Sequence, residues 1–133
     1  MKENITDLII DYSELTIDNF FDYQNEILKE IPVVKSFISL LNFSNEVQKR
    51  IFLKKLITFL NRLETVSSEK RASMISRIDN SGRYKQKVGD KLLEIITRIE
   101  SEIKPEIIGN LFKSYLQEKI SYETFLRLAY LVE

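Results

Sequence analysis

The segment NEVQKRIFLKKLITFLNRLE, residues 45–64, decides the fold. At about 100° per residue, Phe52, Leu53, Leu56, Ile57, Phe59, Leu60 and Leu63 cover roughly half the helical wheel. Arg50, Lys54, Lys55, Thr58, Asn61 and Arg62 cover the other half. An apolar arc that wide needs neighbours on more than one side, so this segment is expected to be the central helix of a bundle.

Toward the C-terminus the other helices follow from the same periodicity. Ser67 or Ser68 can cap a helix that runs to Asn80, where Asp79-Asn80-Ser81-Gly82 supplies a stop and a turn. Its apolar stripe, Ala72, Met74, Ile75 and Ile78, is narrow, which predicts an outer helix with Lys70, Arg71 and Arg77 facing outward. Tyr84, Val88, Leu92, Ile95, Ile99 and Ile103 then recur at spacings of 4, 4, 3, 4 and 4, which predicts a second main helix over 83–103. Pro105 suits the first turn of the next helix, with Ile107, Ile108, Leu111, Phe112, Tyr115 and Leu116 inward. Ser121 caps a last helix that buries Phe125, Leu126, Ala129 and Val132.

Toward the N-terminus, Ser44 or Asn45 offers the N-cap oxygen of the 45–64 helix. Residues 31–43 form a 13-residue, nearly apolar run interrupted by Lys35, read as a short buried helix with membrane-surface association as the alternative. Pro32 separates this run from a short helical piece over 24–30. Before it, Glu3, Asp7, Asp11, Glu14, Asp18 and Asp22 fall on one helical face. That stripe is read as solvated, docked on the basic middle of the chain, or facing a partner. Phe20, Phe21 and Tyr23 beside it are candidate aromatic contacts.

Composition agrees with a helical reading. The 133 residues are 44% hydrophobic and 30% charged, with three Gly and two Pro, too few for the turns of a sandwich or barrel. The expectation is an all-α single domain of about six helices, with an acidic amphipathic region over 1–30 and a helical core over 31–133. Net charge is zero but unevenly placed: residues 1–34 carry −6, residues 35–91 carry +8 and the rest −2. MKENITDLIIDY has no basic stretch leading into an apolar one, so a cytoplasmic protein without a signal peptide or membrane span is expected.

Several chemistries are excluded outright. With no Cys there is no disulfide and no thiolate nucleophile; with no His the usual general base and the commonest zinc ligand are missing. Gly82, Gly89 and Gly109 are scattered and form no phosphate loop. Residues 79–90, DNSGRYKQKVGD, have the length of a calcium loop, but Arg83 and Tyr84 occupy the fifth and sixth positions, where a ligand and a Gly are needed. No catalytic, metal or cofactor site is expected. The one candidate surface for a partner or polyanion is the basic run Lys70, Arg71, Arg77, Arg83, Lys85, Lys87 and Lys91.

Several short pieces resemble a family of small, uncharacterised bacterial all-helical proteins. They are Ile31-Pro32-Val33-Val34, Arg50-Ile51-Phe52-Leu53-Lys54-Lys55, Lys87-Val88-Gly89, Leu111-Phe112-Lys113, Lys119-Ile120-Ser121-Tyr122 and Phe125-Leu126-Arg127. Lys35 stands where that family often has Gly. The number of helices and the Lys119-Ile120-Ser121 turn are also similar to tellurite-resistance TerB-like domains, whose acidic metal site has no counterpart here. The resemblance implies a helical fold and no activity. The functional expectation is a non-catalytic bacterial interaction or regulatory module, an accessory component of a stress or phage-defence system, whose partner is another protein. The alternatives are nucleic-acid binding through 70–91 and peripheral membrane association through 31–43.

Overall fold

The computed structural model describes residues 45–133, which form five α-helices and no strand. The expectations that rest on residues 1–44, namely the acidic stripe, the Phe20, Phe21 and Tyr23 cluster and the 31–43 segment, lie outside the described residues.

The first helix, α1 (Glu46–Asn61), starts where Asn45 can cap it. The Gln48 amide donates to the Asn45 side chain at 2.8 Å and the Asn45 amide to the Gln48 side chain at 3.4 Å, a reciprocal capping box. All seven apolar residues expected inward are buried, and the polar half of the wheel is exposed or half-buried. The helix ends at Asn61, short of Glu64, and a non-helical corner over 62–67 still buries Leu63 and Val66.

Helix α2 (Ser68–Asp79) is capped by Ser67, which accepts from the Lys70 amide at 3.2 Å. Gly82 follows in the left-handed region at φ 69°, as the turn requires. Helix α3 (Val88–Arg98) is half as long as the stripe suggested. Asp79 Oδ1 accepts the Val88 amide at 2.8 Å and fixes the helix start from outside, so residues 83–87 stay non-helical. At the other end Ile99 turns extended, and Pro105 opens the next helix; inside a continuous one it would remove a donor and clash with the preceding turn. Ile103, the last member of the stripe, is consequently 69% exposed.

Helix α4 (Lys104–Leu116) has its main contacts with α1, α2 and helix α5 (Tyr122–Val132), while α3 packs on α1 and α2. Ile108, Phe112, Tyr115 and Leu116 are buried as expected, but Ile107 is 40% exposed. The α1–α4 approach depends on Gly109, where a Cβ would lie 2.9 Å from the Phe59 carbonyl oxygen and from Arg62 Cβ. Phe59 and Phe112 pack across this contact at 5.9 Å, and ion pairs Lys54–Glu102, at 3.3 Å, and Arg62–Glu106 flank it. Phe112 meets Phe125 edge-on at 5.2 Å and so carries the core on into α5. No helix among the described residues is long and apolar enough to cross a membrane.

Candidate functional site: a tyrosine-lined cleft

The basic run does not form one surface. Arg71 is 4% exposed and points into the α1–α2 corner, where Nη1 donates to the carbonyls of Leu63 at 3.1 Å and Val66 at 2.5 Å. It belongs to the interior because those carbonyls lie past the end of α1, where intrahelical donors have run out. Lys91 pairs with Glu94 at 3.2 Å and borders a separate groove between α3 and α5, beside Ile95, Leu126 and the exposed Tyr130 and Leu131. Lys85 is exposed, and Lys87 donates to the Asp79 carbonyl at 3.1 Å.

Arg77 and Arg83 do converge, on the rim of an open cleft of about 510 Å³ between the α2–α3 connection and the α4–α5 turn, and Lys70 reaches it through Glu118. Each is already engaged. Lys70 and Arg77 grip the Glu118 carboxylate from two sides, the latter at 3.3 Å. Arg83 lies 3.3 Å from Glu123, which also accepts the Tyr84 hydroxyl at 2.5 Å. Lys70, then Arg77, hold the Glu118 carboxyl below its usual range, and the Tyr84 hydrogen bond does the same for Glu123. The same hydrogen bond in turn pushes the Tyr84 phenol up. Lys119, on the same rim, is exposed.

The wall is aromatic. Tyr122 meets Tyr84 edge-on at 5.1 Å and Tyr115 at 5.5 Å. The Tyr115 hydroxyl donates to the Met74 carbonyl at 2.5 Å and ties α4 to α2. Tyr122 is 3% exposed, lines the cleft, and its hydroxyl has no hydrogen-bond partner among the described residues. Burial pushes its phenol up, so it stays protonated and available as a donor. Buried hydroxyls without a partner are uncommon, because desolvation then goes uncompensated.

Glu118 itself sits at φ 60°, a left-handed position that Gly fills most easily. The α4 terminus explains the backbone: Glu118 N–H donates to the Tyr115 carbonyl and Lys119 N–H to that of Ser114, both at 2.9 Å, the pair of bonds that closes a helix around a left-handed residue. A charged side chain is thus held at a position whose backbone favours Gly. Sequence reasoning marked Arg77 and Arg83 but missed Tyr115, Tyr122, Glu118, Lys119 and Glu123 as a group. Periodicity assigns Tyr115 to the core, and the α4–α5 turn has to be folded before 118–123 face Arg77 and Arg83.

No protein-family model, no curated protein and no solved structure matches the chain. The resemblances drawn from its motifs therefore bring no residue role to the cleft.

Proposed function

We propose that the chain is a non-catalytic interaction or regulatory module that presents this cleft to a protein partner. The reading keeps the expected bundle of about six helices around the 45–64 helix, and the bacterial stress or phage-defence setting, as parts of the proposal. The observation that carries it is the Tyr122 hydroxyl, buried on the wall of an open cleft without a hydrogen-bond partner among the described residues. The carboxylates beside it support contact over proton transfer: Glu118 and Glu123 are held low by cations and a phenol, which suits gripping charge at neutral pH and not shuttling protons.

The test uses the absence of Cys in the natural sequence. A single cysteine at Lys119, carrying a photo-crosslinker, should capture a defined partner in the native cell, and Arg83→Glu with Ser81→Glu should abolish that capture without unfolding the protein. Capture that persists in the folded double variant would remove the cleft as the contact surface.

Nucleic-acid binding is a second reading with one observation in its favour. Residues 45–133 hold seventeen Lys and Arg against twelve Asp and Glu, a net of +5. Pairing of Lys70, Arg77, Arg83 and Lys91 with acids weakens it, because each cation must be freed before it neutralises a phosphate. Retention on RNA or DNA with a steep salt slope would favour it over the protein partner. Membrane association through 31–43 falls outside the described residues.

A further inference from the structure

The cleft's polar inventory points to the kind of partner it takes. Its lining carries Arg77, Arg83 and Lys119 against Glu118 and Glu123, a local excess of one positive charge, and Lys70 reaches Glu118 from just outside it. Its wall holds one buried hydroxyl, that of Tyr122, with a hydrogen to donate and no acceptor for it among the described residues. A ligand that satisfies both features brings an anionic acceptor. The arginines show what kind, since each already grips a carboxylate from the chain itself. Arginine matches carboxylate geometry closely, and an exposed ion pair is weak enough to exchange for another of the same type.

We infer that the cleft receives an acidic peptide segment of the partner, one carboxylate of which accepts from the Tyr122 hydroxyl while displacing Glu118 from Arg77. This inference rests on the interaction reading above. Glu118 then acts as an internal placeholder: it keeps Lys70 and Arg77 paired when the cleft is empty, and it competes with the incoming acid. Placeholder and donor give opposite signs on mutation. Removal of the Glu118 charge frees two cations and tightens binding; removal of the Tyr122 hydroxyl deletes a donor that has no acceptor among the described residues, and weakens it.

The experiment uses the full chain and a fluorescein-labelled decapeptide of alternating Glu and Ser, with Gln–Ser and Lys–Ser counterparts, read by anisotropy at low salt. The Glu peptide should bind and the other two should not. Tyr122→Phe should weaken binding about tenfold, the loss expected for one hydrogen bond to a charged acceptor, and should melt at the same temperature as the natural chain or higher. Glu118→Gln should tighten binding severalfold. Equal binding of the Gln peptide, still dependent on Tyr122, would overturn carboxylate selection while leaving the interaction reading standing. Glu-peptide binding indifferent to both substitutions would overturn the assignment to this cleft. A lowered melting temperature in Tyr122→Phe with binding unchanged would show that an ordered water already serves the hydroxyl, and would overturn it as well.

Discussion

The Arg71 guanidinium lies 3.1 Å from the carbonyl oxygen of Leu63, and this bond closes the corner between α1 and α2. Leu63 is fully buried just past the last turn of α1, and its carbonyl accepts the Val66 amide at 3.1 Å as well as the guanidinium. The same nitrogen reaches Val66, so one buried cation serves two carbonyls at the negative end of a helix. Arg71→Met should cost about 1–3 kcal/mol, because the Val66 carbonyl loses its donor while that of Leu63 keeps only the Val66 amide. Arg71→Glu should cost more, by placing a carboxylate against carbonyl oxygens. Urea midpoints measure both, and a loss under about 0.5 kcal/mol, the usual range for surface charges, would return Arg71 to the surface.

Leu56 and Leu60 are 2% and 1% exposed in the middle of the α1 arc. Either changed to Ala should cost about 2–5 kcal/mol, a large part of a typical total near 10. A denaturant titration that gives less than about 1 kcal/mol would make α1 peripheral to the core.

How much of this was legible follows from which forces are local. The division of α1 into Leu56 and Ile57 on one side and Lys54 and Asn61 on the other is a consequence of helical period, and sequence shows it directly. So are the caps at Asn45, Ser67 and Ser121, since each bonds within three residues of itself. The start of α3 is not local: Asp79 sets it from nine residues away, and periodicity alone extends the helix to 83. Helical spacing does separate Arg71 from Lys70, since Arg71 stands three, four and seven residues before Met74, Ile75 and Ile78 on the apolar stripe, but only the folded corner supplies the carbonyls that make a buried arginine tolerable there. The cleft is the extreme case, assembled from Tyr84 in one connection, Tyr115 at the end of α4 and Tyr122 at the start of α5.

Gly109 and the Phe59 carbonyl set the spacing of α1 and α4. In an isolated helix Gly→Ala stabilises by roughly 1 kcal/mol. Here the added methyl would lie 2.9 Å from a backbone oxygen and from Arg62 Cβ, and a helix carbonyl cannot swing aside as a side chain can. Overpacking should win, with a net loss of about 1–3 kcal/mol, read as a lowered urea midpoint. A stabilised Gly109→Ala protein would mean the two helices slide apart at little cost.

Alkaline pH offers a test of the Tyr115 bond. Burial pushes the Tyr115 phenol up to about 12 from an ordinary value of 10.0. Between those values the unfolded chain has released a proton that the folded chain still holds, so stability from this group is full below pH 10 and is lost as pH rises toward 12. At the acid end the sign reverses: Glu94, Glu118 and Glu123 are held below their ordinary 4.5, and their contribution fades as pH falls through that region. Tyr115→Phe isolates the alkaline part. At neutral pH it should lose about 1 kcal/mol, the donor to Met74 being gone. From pH 10 upward it should decline less steeply than the natural chain, so that the two urea midpoints converge. Parallel curves across that range would show that the Tyr115 hydroxyl titrates as it does in water, and so is not desolvated in the folded protein.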